Sequence, residues 1–179
     1  MRQPRLLQIS HLGHPVLREI CAPIADVSAP EVQDLIDDMI ATCLEANGVG
    51  IAAPQVYQPL RLFIVASRPN ARYPSAPLME PTAMLNPSFT PVGDDMEEDW
   101  EGCLSIPGLR GRVRRHAIID ISFTDRHSKP QGMRLEGFVA RIFQHEYDHI
   151  DGRVFTDRAD PASFVMEREF QRAIAAERR

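Results

Sequence analysis

The sequence predicts an α+β fold in which mainly antiparallel sheets surround one central helix and a further helix closes the C-terminus. Three observations carry this. Short β-rich runs lie at 61–66, 83–89 and 117–125, the last followed by a turn and a return strand. A strongly apolar helical pattern occupies 137–151. From Pro161 onward apolar and charged residues alternate, as in a terminal helix.

The first clear element is a helix opening at "SAPE". Ser28 is placed to cap it, Glu31 completes a capping box, and Pro30 is tolerated in the first turn. Val32, Leu35, Ile36, Met39, Ile40, Cys43 and Leu44 recur at helical spacing, so Cys43 belongs to a packing stripe. Asn47-Gly48 ends the helix with a left-handed cap. "RLFIVA" (61–66) reads as a compact strand, the proline-rich 69–81 as a loop, and "AMLNPSF" as a strand edged by Pro87. In "AIIDISFTD" (117–125), Ala117, Ile119, Ile121 and Phe123 share one face. "DRHSKPQG" then turns, and "MRLEG" returns as the hairpin partner. In the helix at 137–151, stopped by Gly152, Phe138, Ile142, His145 and His149 form one stripe; Val139, Phe143 and Ile150 form the next. A helix apolar over so much of its surface is buried. The terminal helix is expected to end in Arg178-Arg179.

A chain of 179 residues suits a single domain, here 1–179. Hydrophobic content of 44% and charged content of 25% are ordinary for a soluble globular protein. A net charge of −5 argues against nucleic-acid binding, and no apolar run is long enough to span a membrane. The N-terminus lacks the apolar core and cleavage site of a signal peptide, and no transit peptide is visible. Cys21, Cys43 and Cys103 are too few and too odd in number for a disulfide framework, so a reducing cytoplasm is expected.

The chemistry concentrates in "QHEYDHIDG", 144–152. Residues i and i+4 of a helix share a face, so His145 and His149 can aim at one ion, with Glu146 close enough to reach a water beside it. The alternative is a pair of core histidines bonded elsewhere. A catalytic metal usually keeps three protein ligands. No histidine follows His149; Glu167, Glu169 and Glu177 lie among arginines and read as a solvated face. Upstream, "EGCLSIPG" (101–108) offers Cys103 as a soft ligand, against the reading of a small buried hydrophobe. "GVGIAAPQ" (48–55) joins a helix end to a strand through small residues that let a ligand approach, and Gln55 adds an amide donor. It fits neither a phosphate loop nor a dinucleotide fingerprint.

Taken in order, "GVGIAAPQ", "EGCLSIP" and "QHEYDH" resemble the G-x-G-x-A-A-x-Q, E-G-C-x-S and Q-H-E-x-D-H motifs of peptide deformylases, matching at every defining position. The likeness runs from about "HLGHPVLRE" (11–19) to "VFTDR" (154–158). It implies a hydrolase that removes the formyl group from N-formylmethionyl nascent peptides and releases formate. It further implies that Cys103, His145 and His149 hold a divalent metal on the central helix, and that Glu146 is general base and acid. Gln55 and the backbone N–H of Leu104 would stabilise the oxyanion. Val49, Gly50 and Gly102 would line the substrate cleft, and Val49 with Phe138 and Ile142 would form the methionine pocket, the last from helix phase. The resemblance implies Fe²⁺ natively, with Zn²⁺, Ni²⁺ or Co²⁺ substituting in preparations, and a C-terminal helix that can dock on the ribosome. Residues 108–112 read Gly-Leu-Arg-Gly-Arg where many bacterial members carry glutamate after the proline. Trp100 and "DPASF" (160–164) lean toward the branch that includes organellar enzymes, while the missing transit peptide favours a bacterial one. The rival readings are a zinc peptidase using the same helix and a non-catalytic metal-binding domain. Asp148 is expected to orient the structure around the helix, and Gly152 to end it.

Overall fold

The computed structural model describes residues 2–70 and 73–177. Two antiparallel sheets enclose the helix expected at the centre. The larger contains β1 (Gly50–Ala52), β2 (Leu62–Val65), β3 (Thr82–Pro91), β6 (Ile118–Thr124) and β7 (Pro130–Glu136), in the order β1-β2-β3-β6-β7. The smaller contains β4 (Met96–Cys103), β5 (Ile106–His116) and β8 (Val165–Met166), in the order β4-β5-β8. The helices are α1 (Pro30–Glu45), α2 (Gly137–Ile150) and α3 (Glu167–Glu177).

Strand β2 shows why this sequence makes layers. All four of its residues are buried, and they alternate between two cores. Leu62 and Ile64 join Ile36, Met39 and Cys43 of α1, whereas Phe63 and Val65 join Ala140, Phe143 and Ile150 of α2. A short continuous apolar strand is what a sheet covered on both faces requires, even though the pairing here is antiparallel. Phe143 meets Phe63 edge-on at 5.1 Å. Burying such a ring contributes roughly 1.5–3 kcal/mol, so the sheet fixes the position of α2. A third core, with Val16, Ile106, Val113, Val154 and Phe155, packs the smaller sheet against the segments before α1 and after α2.

Several expectations change in detail. Ser28 does not cap α1. It bonds Asp26 instead, and Ala29 is the N-terminal residue with no side-chain cap. Pro30 has no N–H to satisfy, and Val32 and Gln33 donate to the Ala29 carbonyl, so the first turn closes without Ser28 or Glu31. Asn47, at φ 52°, supplies the left-handed end. The register of β3 slips between Leu85 and Ser88, where Asn86 turns out at φ 48° and binds both backbone groups of Ile24. Strand β7 begins at Pro130, earlier than "MRLEG". Asp125 tightens the turn before it by accepting from His127 and Lys129 N–H groups, both at 2.9 Å.

The largest revision concerns 96–116, which the periodicity left without strands. Strand β4 sets Glu97 and Glu98 in register with Arg115 and Arg114 of β5, so charged residues rather than apolar alternation fill much of this hairpin. The tail helix starts at Glu167, not Pro161. Residues 161–163 make a single 3-10 turn, and Val165–Met166 add to β5 before α3 begins. The loop at 69–81 has no regular structure in its described part; 71 and 72, like Arg178 and Arg179, lie outside the described residues. Among the described residues, no helix is long and apolar enough to cross a membrane.

Candidate metal centre

Ligand-capable atoms of Cys103, His145 and His149 all lie within 4.8 Å of one another, and all three residues are buried. They come from two elements. Cys103 ends β4 where the β4–β5 register shifts, and the histidines stand one turn apart on α2. Cys103 Sγ lies 3.3 Å from His149 Nε2. His145 Nδ1 is bonded to Glu101 at 2.9 Å, which turns its other nitrogen toward the cluster. One thiolate with two imidazoles suits a borderline-soft transition ion. Among the described residues, the buried Glu146 Oε2 and His149 Nδ1 find no hydrogen-bond partner. The donor set therefore fits a metal.

The electrostatics agree. Burial raises the Cys103 thiol pKa, but the His149 and His145 rings outweigh it and hold the thiol well below its ordinary value, as a thiolate. Burial pushes the Glu146 carboxyl up to about 7, the two histidines only partly opposing it. A carboxyl beside the cluster is within reach to take and return a proton.

A cleft of about 50 Å³ opens over the cluster. Ten of the eleven residues singled out in the sequence line it: Gln55, Val49, Gly50, Gly102, Cys103, Leu104, Phe138, Ile142, His145 and Glu146. The eleventh, His149, lies beneath them and is fully buried. Gln55 is aimed by its own backbone neighbourhood. Its Oε1 accepts the Ala52 N–H at 2.8 Å, while Nε2 donates to Ser105 Oγ at 3.1 Å and reaches Cys103 Sγ at 3.4 Å.

Sequence reasoning missed the supports. Glu101 is buried and accepts from Arg115 Nε and Nη2 and from Arg141 Nη1, each at 2.9 Å, as well as holding His145. Burial raises its pKa, but Arg115 and the His145 contact hold it well below the usual carboxylate range. Asp148, placed on α2 beside the ligands, accepts from Arg115 and Arg158, so it does orient its surroundings. Gln144 clamps α2 to β5: its Oε1 accepts the His116 N–H at 3.0 Å and its Nε2 donates to the His116 carbonyl at 2.9 Å. The three arginines, spread over β5, α2 and the segment after it, share no sequence pattern that could have linked them to the site. Glu167 is not a solvated residue either, because it pairs with buried Arg110.

This arrangement has known counterparts. The polypeptide deformylase family model matches residues 6–164. Peptide deformylase 2 of Nostoc sp. (strain PCC 7120) is 53% identical over 172 residues, covering 96% of each chain. The Met-Ala-Ser-bound class I type b peptide deformylase of Acinetobacter baumannii superposes with a TM-score of 0.83 at 42% identity, over 86% of this chain and 98% of that one. The Thermotoga maritima peptide deformylase gives 0.78 at 31% identity, over 88% and 99%. With its Cys-His-His centre, its fold and its sequence all in agreement, this chain belongs to the polypeptide deformylase family, metal-dependent hydrolases that remove the N-terminal formyl group from nascent polypeptides.

Proposed function

We propose that Cys103, His145 and His149 hold one divalent ion, Fe²⁺ in the cell, and that Glu146 moves the proton in deformylation of N-formylmethionyl peptides by a single catalytic domain, residues 1–179. The observation that carries this reading is the buried Glu146 carboxyl, lining the same cleft as the three-ligand cluster. When bound, the ion supplies Lewis acidity to the formyl carbonyl and to the attacking water. Glu146 accepts a proton from that water as its oxygen bonds the formyl carbon. Gln55 Nε2 and the Leu104 N–H donate to the oxygen that gains charge. The C–N bond then breaks, Glu146 returns the proton to the leaving amine, and formate and the free N-terminus depart. Val49, Phe138 and Ile142 hold the methionine side chain, while Gly50 and Gly102 let the peptide backbone approach.

Zn²⁺, Ni²⁺ or Co²⁺ would occupy the same donors in preparations, since affinity alone does not favour Fe²⁺. A thiolate beside ferrous iron needs a reducing compartment, which supports a cytoplasmic location. Exposed Arg168 and Arg172 on α3 support ribosome docking; unchanged co-sedimentation after replacing both by alanine would count against it.

The test is formate release from formyl-Met-Ala-Ser by anaerobically purified protein. Glu146→Gln is expected to lose activity with metal retained, and Cys103→Ala to lose the metal. Full activity in Glu146→Gln would sink this mechanism.

A further inference from the structure

The stretch Ser10–Leu12 meets Gln55 twice, once through its backbone and once through the partner of its side chain. Ser10 is fully buried, and its two donors reach consecutive carbonyls of the 3-10 turn Ala53–Val56. Its N–H donates to the Gln55 carbonyl at 2.8 Å, and its Oγ to the Pro54 carbonyl at 3.2 Å. Two residues on, the Leu12 N–H donates to the Ser105 carbonyl at 2.8 Å. Ser105 is the residue whose Oγ accepts from Gln55 Nε2.

This stretch is itself tethered. Upstream, the Arg5 N–H donates to Asp38 at 2.6 Å and the Leu7 N–H to Thr42 at 2.9 Å. Both acceptors are buried on α1, and Thr42 is locked by its own bond to the Asp38 carbonyl at 2.7 Å. Downstream, the His14 ring packs edge-on against Tyr57 at 4.9 Å. Tyr57 ends the 3-10 turn at φ 64°, a backbone conformation that bulky residues rarely adopt. Its N–H makes the second bond to the Pro54 carbonyl, at 3.1 Å. A single 3-10 turn has poorer hydrogen-bond geometry than an α-helix, so contacts from outside fix its shape.

We propose that the N-terminal segment is a strap that holds Gln55 in its donating pose, and that Ser10 is a positioning residue of the reaction. The proposal rests on the deformylase reading above. A donor serves developing charge well only when it already stands in place. The Gln55 amide carries two N–H groups. Ser105 takes one, and the nitrogen faces the metal cluster, with Cys103 Sγ at 3.4 Å. That aim depends on where the Pro54 and Gln55 carbonyls sit, and Ser10 holds both. Release of either lets the turn shift beneath the cleft and carries the amide with it.

The test is a double-mutant cycle on the full, metal-loaded chain. Ser10→Ala keeps the N–H and removes only the bond to Pro54. It is expected to lower kcat for formate release from formyl-Met-Ala-Ser by about tenfold, with KM unchanged. That is part of the roughly 100-fold that losing an oxyanion donor outright costs. In a Gln55→Ala background, Ser10→Ala should cost nothing further, because the group being aimed is gone. The side-chain amide of Gln55 gives a readout that needs no catalysis: in the Zn²⁺-loaded chain it is the NMR signal that Gln55→Ala removes. Its order parameter should fall in Ser10→Ala. If the amide loosens as stated but wild type releases no formate, the reaction assignment fails and the strap stands. An equal loss of kcat in both backgrounds, an unchanged kcat, or an amide as rigid as in wild type would overturn the strap.

Discussion

A methyl group added to Gly50 would lie 2.9 Å from both Cγ and Cδ of Glu146. The backbone of β1 and the carboxyl of α2 thus occupy adjoining space that only a hydrogen leaves open, and β1 acts as the wall that positions the proton carrier. Gly50→Ala must push Glu146 aside. Displacing a reacting group by about 1 Å can cost on the order of 100-fold in rate. The expected outcome is a loss of that size in kcat with metal content unchanged, measured by formate release and metal analysis. Near-normal kcat would show that Glu146 has a second productive position.

Much of this was legible in the sequence because each cue was local. The His145–His149 spacing needs only a helix, the apolar run of β2 needs only a buried strand, and the alternation in β6 needs only a buried face. The β4–β5 hairpin was not legible. Its Glu97, Glu98 and Arg114 are solvated charge, and Arg115 looks the same until the fold brings Glu101 and Asp148 to it. The same holds for Glu101, whose partners lie on β5 and α2, 14 to 44 positions away. Glu167 looked solvated for a similar reason: its partner Arg110 is 57 positions upstream. Long-range pairings of charge leave no periodicity to read.

Glu101 touches no atom of the cleft's chemistry directly, yet it holds the ring of His145 and anchors Arg115 and Arg141. Partners of this kind typically change metal affinity by about 10–100-fold when removed. Glu101→Gln should weaken metal binding within that range, read by chelator competition. It should also destabilise the fold by about 3 kcal/mol, because buried guanidinium groups lose their anion. Unchanged metal affinity would mean that packing alone orients His145.

The three thiols should separate chemically. Burial pushes Cys21 up to about 11 and Cys43 up to about 12, while the histidines hold Cys103 low. Thiolate is the reactive form. In metal-free native protein at neutral pH, a disulfide reagent should modify one thiol fast, and Cys103→Ala should abolish that phase. Zn²⁺ should slow it by more than about tenfold by occupying the sulfur. Three equally fast thiols would contradict the assignment.

The carboxyl that serves the chemistry should cost the metal-free fold stability at high pH. Glu146 is buried, and its pKa is raised from the ordinary 4.5 to about 7. The folded state therefore favours the protonated form. Its contribution is fully present below about pH 4.5 and is lost as pH rises through about 7. Gln cannot ionise, so metal-free Glu146→Gln should match wild type near pH 4.5 and exceed it above pH 7. The shift corresponds to about 3 kcal/mol at most. Denaturant unfolding of both metal-free proteins at pH 5 and pH 8 measures it. A stability difference that does not grow between those two values would mean that Glu146 is already ionised in the folded metal-free protein at the lower one.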